Sequence, residues 1–157
     1  MADAGWLGIC IPEKFGGSGL GVVEAAIMMR TIAESGAGMS GASAVHINVF
    51  GLNPVVVFGT DEQCKRMLPP MIDGREKACF AVTEPNTGLN TTQLKTRAVA
   101  KNDGYIVNGQ KVWISTAQVA HKILLLARTT PLEEVRSATH GLSLFLYGFR
   151  SRARQGP

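Results

Sequence analysis

The chain has 157 residues, 45% hydrophobic and 18% charged, which is the mix of a folded globular protein and not of a disordered one. Its formal net charge of +4 is concentrated in Arg150, Arg152 and Arg154, and the other basic residues are scattered among acids. With no basic stripe interleaved with aromatics, nucleic acid is not an expected partner. The longest apolar stretches are interrupted by Gly, Asn, Pro or Lys before a bilayer could be crossed, so no membrane span is expected either.

Cys10, Cys64 and Cys79 are odd in number and far apart, with no CxxC spacing, so neither a disulfide framework nor a metal site is expected. The first five residues show neither the basic region of a secretory signal nor the arginine-rich character of a transit peptide. A soluble protein of a reducing interior is the expectation: mitochondrial matrix or peroxisome in a eukaryote, cytoplasm in a bacterium.

In chain order, Gly5 to Pro12 is short and apolar, as though it already belonged to an interior. The glycine-rich Glu13–Gly21 stretch precedes a helix, an arrangement that can bind anions. A dinucleotide fingerprint would need a buried strand before it and an acid after a second strand; Pro12 interrupts the approach and helices follow, so a flexible connector is expected. Val22 to Glu34 is amphipathic, with Arg30 and Glu34 as an i,i+4 pair, and Ser35-Gly36-Ala37-Gly38 ends it. A second helix is expected from about Ala42 to Gly51, limited by Pro54, with His46 as a core or helix-face residue. Thr60-Asp61-Glu62-Gln63 is a capping box opening a third helix that stops near Pro69-Pro70.

From Ala78 the texture becomes β. Ala78–Thr83, Leu94–Lys101, Tyr105–Val107, Gln110–Ile114, Ile123–Ala127 and Leu142–Tyr147 read as strands, with Asp103-Gly104 and Asn108-Gly109 as hairpin turns. Strands without intervening helices predict an antiparallel sheet or barrel. The fold class is therefore α+β: a partial helical domain over 1–74, a partial β domain over 75–147 with an antiparallel, barrel-like architecture, and a divergent basic tail over 148–157.

Cys79 to Asn90 passes from an apolar run through Pro85 into a polar loop, which is either an ordinary strand exit or a rim offering a hydroxyl, a carboxylate and free amides to a ligand. On the Gln110–Ile114 strand, Trp113 and Ser115 would share one side, an indole face beside a hydroxyl suited to a flat heteroaromatic ring. The bland alternative makes Trp113 a core residue.

Phe80-Ala81-Val82-Thr83-Glu84-Pro85 and Asn108-Gly109-Gln110-Lys111-Val112-Trp113-Ile114-Ser115, taken together, resemble the acyl-CoA dehydrogenase family. So do Gly8–Gly17, Phe58–Gln63 and Gly141–Leu146, in the right order along nearly the whole chain. The resemblance implies FAD as cofactor, held by the Phe80, Ala81, Val82 and Thr83 backbone and the Thr83 hydroxyl, with Trp113 and Ile114 beside the ring and Ser115 near N5. It implies that Gly88 and Leu89 approach the pyrophosphate or, with Asn90, the pantetheine arm of an acyl-CoA substrate. An electron-transferring flavoprotein and further copies of the subunit are the implied partners. The implied reaction converts a saturated acyl-CoA to its trans-2-enoyl thioester by α-proton abstraction and β-hydride transfer to flavin.

Where the family often has Ala-Gly-Ser-Asp, Thr87-Gly88-Leu89-Asn90 lacks a hydroxyl and a charge at the last two positions. The family's base lies on a C-terminal helical domain, so Glu84 is not the expected base and no catalytic residue is assigned. The chain reads as truncated, with two outcomes: the front portion of the enzyme, or an incompetent fragment that binds or pairs without turnover.

Overall fold

The computed structural model describes residues 1–148, and the chain divides into two compact units, one spanning Met1–Ala78 and the other beginning at Cys79. The tail expected over 148–157 lies, apart from Gly148, outside the described residues.

The first unit is helical: α1 (Val22–Ile32), α2 (Gly38–His46), α3 (Asn53–Phe58), α4 (Asp61–Met67) and α5 (Pro69–Ile72). Glu24 caps α1 by accepting the Gly21 N–H at 2.9 Å, and the expected Arg30–Glu34 pair forms on its exposed side at 2.7 Å. Gly36, at φ 94°, reverses the chain between α1 and α2, a backbone that a side chain would strain. Ile9, Ala25, Met28 and Val45 form a buried cluster that draws the N-terminal segment against α1 and α2. His46 lies on the exposed side of α2, its ring 4.2 Å from that of Phe50.

Pro54 and Pro69 open helices where the sequence suggested stops, because proline at the first turn gives up an N–H that has no intrahelical acceptor there. Val22–Phe58, which contains an 18-residue window of mean hydropathy 1.4, has the length and composition to cross a membrane. It is nevertheless broken at Gly36, and Asn48 within it is buried with its amide donating to the Met71 carbonyl at 3.2 Å. That is the bonding of a helix packed on protein.

The Thr60 capping box forms as expected: the Gln63 N–H donates to the Thr60 hydroxyl at 3.2 Å, and the Thr60 N–H donates to the Gln63 side chain at 2.8 Å. Thr60→Ala removes one of these bonds and is expected to destabilise the first unit by about 1 kcal/mol in urea titrations. An unchanged midpoint would show that the box contributes nothing.

The glycine stretch is tied down, unlike the flexible connector expected. Ser18, Gly19 and Leu20 donate their N–H groups to the carbonyls of Gly8, Ile11 and Ile9 at 2.9–3.0 Å.

The second unit holds β1 (Ala78–Ala81), which runs in from the preceding unit, β2 (Arg97–Lys101), β3 (Gly104–Asn108), β4 (Lys122–Arg128) and β5 (Leu142–Gly148). The order is β1-β4-β2-β3, with β5 also paired to β4. The β2–β3 hairpin turns at Asn102-Asp103, with Lys101 opposite Gly104, and β4–β5 is antiparallel from Lys122/Gly148 to Arg128/Leu142. Two expectations are corrected. The sheet is open, not barrel-like, and it is mixed, since β2 and β4 meet in parallel at Arg97 and Arg128. Ala81, Ala98, Leu125 and Ala127 form its buried centre, with Ile114, Ile123 and Phe145 packed around them.

Candidate functional site

The site grows from the end of β1. Ala81 is fully buried, Phe80, Val82 and Thr83 are half-buried, and the chain then turns at Glu84–Thr87 through reciprocal backbone bonds of 2.9 and 3.1 Å. Pro85 occupies a turn position that needs no donor. Gly88, Leu89 and Asn90 beyond the turn are exposed, Leu89 completely so. Arg128, the buried last residue of β4, donates to the Thr92 carbonyl at 2.6 Å and to the carbonyls of Ala138 and His140, fixing the segment that follows the turn.

Residues 110–115 are not a strand. β3 ends at Asn108, and the chain beyond it does not fold back on β3: Lys111 and Val112 bond to the end of β1. Gly109 instead passes close to Thr96, where a Cβ would lie 2.7 Å from the Thr96 Cα. The shared strand face expected for Trp113 and Ser115 therefore does not exist. Trp113 sits at φ 58° with 90% of its surface exposed, Ser115 is exposed in the following turn, and the Ile114 side chain packs on the core cluster. A bulky residue in that backbone region costs roughly 1–3 kcal/mol and persists only where its surroundings fix it.

The two sequence stretches are nonetheless brought together. The Val112 N–H donates to the Thr83 carbonyl at 3.0 Å, and the Lys111 ammonium donates to the Val82 carbonyl at 2.8 Å and to the Glu84 carboxylate at 2.9 Å. Glu84 also accepts the Lys95 and Thr96 N–H groups at 2.6 and 2.8 Å. Burial alone would raise the pKa of Glu84, but the bonds from Thr96, Lys95 and Lys111 outweigh it and hold the carboxylate at about 2. A carboxylate so fully engaged has no basicity to offer a substrate. Sequence reasoning left Lys111 without a role; the only signal was its place in the motif, since its partners lie 27 and 29 residues away.

Among the described residues, the amides of Gly88, Leu89, Asn90, Trp113, Ile114 and Ser115 have no acceptor. Six free N–H groups on two exposed loops, beside a half-buried threonine hydroxyl and a bare indole, make a donor-rich surface with one apolar aromatic face. That donor set fits the carbonyl- and nitrogen-edged ring of a flavin.

The model of the acyl-CoA dehydrogenase N-terminal domain matches residues 1–75, and that of the middle domain matches residues 79–154. The chain belongs to the acyl-CoA dehydrogenase family. An acyl-CoA dehydrogenase of Bacillus subtilis is 34% identical over 146 residues, covering 93% of this chain and 37% of the relative. The CarC subunit of the caffeyl-CoA reductase-Etf complex of Acetobacterium woodii is 34% identical over 154 residues, covering 96% and 38%. The FAD complex of PigA superposes with a TM-score of 0.84 at 26% identity, covering 94% of this chain and 38% of that one. The chain thus spans a little over a third of the length of these relatives.

Proposed function

We propose that this chain carries the flavin-facing part of an FAD-dependent acyl-CoA dehydrogenase. The observation that carries the reading is the tethering of Trp113, bare and at φ 58°, to the β1 exit through the Val112–Thr83 bond. An indole held out in a costly conformation is held out for something to cover it. In this reading the Phe80–Thr83 backbone and the Thr83 hydroxyl meet the pyrimidine edge of the ring. Trp113 and the Ile114 amide lie beside it, Ser115 takes the N5 side, and Gly88, Leu89 and Asn90 meet the pyrophosphate or the pantetheine of an acyl-CoA. Bound FAD supplies the hydride acceptor; the residues here orient it and shield it from water. Its family and the relatives named above support the flavin, an electron-transferring flavoprotein as electron acceptor, and association with further subunits.

The polypeptide of these 157 residues is expected not to turn over, because no residue in it is assigned as the base and Glu84, the acid of the motif, is consumed by its own hydrogen bonds. This favours, for the chain by itself, a binding or subunit-pairing role. Purified with FAD, it should retain a flavin spectrum that an acyl-CoA does not bleach. Bleaching would overturn the absence of turnover, and failure to retain FAD would overturn the flavin assignment.

Trp113→Ala should weaken FAD retention about tenfold, since stacking on an aromatic face is worth roughly 1.5 kcal/mol and each 1.4 kcal/mol is a factor of ten. Lys101→Ala, on an exposed strand position, should leave it unchanged. Equal losses in the two variants would remove Trp113 from the flavin face.

A further inference from the structure

The buried ion pair of Glu84 and Lys111 gathers three segments distant in sequence: Val82–Glu84, Lys95–Thr96 and Lys111–Val112. Both side chains are more than nine-tenths buried, and their bonds of 2.6–2.9 Å are short and charge-assisted. Lys111 also reaches past the carboxylate to the Val82 carbonyl, so a single ammonium binds the β1 exit at two points. The next residue, Val112, adds its N–H to the Thr83 carbonyl, and the residue after that is Trp113. On the far side of Trp113 the Ile114 side chain packs on the core cluster, and the Ala117 N–H donates to the Ile114 carbonyl within the local turn.

We propose that Glu84 and Lys111 are positioning residues for the flavin surface, a clasp that fixes Trp113 in its left-handed backbone and sets Thr83 beside it. The proposal rests on the flavin reading given above, but the clasp itself can be tested without flavin. Neither group touches the ring. Each acts through the backbone that it holds, as the outer partners of a bound group hold the residues that meet it. An ammonium shared between a carboxylate and a carbonyl fixes both distance and direction between the two loops, which apolar packing at an exposed rim cannot do.

The test uses the full 157-residue chain and the variant Lys111→Met, which keeps the length of the side chain and removes its charge and donors. In the flavin-free protein, the indole N–H resonance of Trp113 should shift and broaden while that of Trp6, in the other unit, stays in place. With FAD, affinity should fall about tenfold, the scale seen when the outer partners of metal ligands are removed, and the visible flavin band should move toward that of free FAD. Should Lys111→Met fail to fold, Glu84→Gln, which keeps the shape of the side chain but sets an amide NH2 against a donor that the carboxylate accepted, is read the same way. An unmoved Trp113 resonance in a folded variant overturns the clasp, as does unchanged affinity and flavin spectrum. If the unaltered chain fails to retain FAD, the flavin reading falls, and the Trp113 resonance alone then decides whether the clasp stands.

Discussion

Gly17→Ala should unfold the first unit at a urea midpoint far below that of the unaltered chain, with a loss of about 3 kcal/mol, at the upper end of what overpacking costs. A Cβ there would come within 2.5 Å of the Ile11 carbonyl carbon and Cβ, and closer still to the carbonyl oxygen. These atoms cannot swing aside, because Ile11 is buried and its carbonyl accepts the Gly19 N–H at 2.9 Å. Moving the Ile11 backbone instead would pull on Ile9, whose side chain is in the buried cluster with Ala25, Met28 and Val45 and whose carbonyl holds Leu20. Gly16→Ala is the informative control. Its Cβ would meet nothing within 4 Å, so only its φ of 89° opposes the substitution, and the loss should be about 1 kcal/mol. Equal losses at the two positions would show that backbone conformation, and not close approach, is what requires the glycines. The measurement is helical ellipticity against urea, which reports the helical unit.

What the sequence disclosed and what it concealed divide by the distance over which each feature is determined. The Thr60 box and the Arg30–Glu34 pair involve residues three and four apart, and both form as read. The β2–β3 hairpin is likewise local, although its two-residue loop is Asn102-Asp103, one position before the dipeptide that signals it. Asn108-Gly109 carries an equally good turn signal and makes no hairpin, because Lys111 and Val112 bond to the β1 exit and not back to β3. A turn dipeptide states a local preference; whether a ladder continues is decided elsewhere. The parallel meeting of β2 and β4 at Arg97 and Arg128 has no local signature at all, and it is one reason why the sheet is mixed. At the site, the sequence brought the right two stretches together but drew the second as a strand with Trp113 and Ser115 on one face. What joins the stretches is a lysine and a glutamate 27 residues apart, a relation that no periodicity can express.

That same pair makes the second unit sensitive to acid. Glu84 has a pKa of about 2, below its ordinary value of 4.5, because the bonds it accepts outweigh the burial that would raise it. A depressed folded-state value means that the stabilisation is complete above the unfolded-state pKa and is lost as pH falls through the folded one. The β unit should therefore lose up to about 3 kcal/mol between about pH 5 and pH 2 from this residue alone. Asp73 is also held low, by the hydrogen bond and charge of Arg75, but it is a surface group of the helical unit whose effect salt will screen. A Trp6→Phe background leaves Trp113 as the sole tryptophan, so its emission reports the second unit by itself. In that background Glu84→Gln should be less stable at pH 7, and its stability should be nearly flat from pH 5 to pH 2.5, where the parent declines. Lys111→Met should leave a buried carboxylate with only its two backbone donors, steepening the loss at the upper end of that range as the depressed pKa climbs back. Parallel curves for the parent and Glu84→Gln would mean that the carboxylate is not held low by the fold, and the buried pair would then have no part in the acid response.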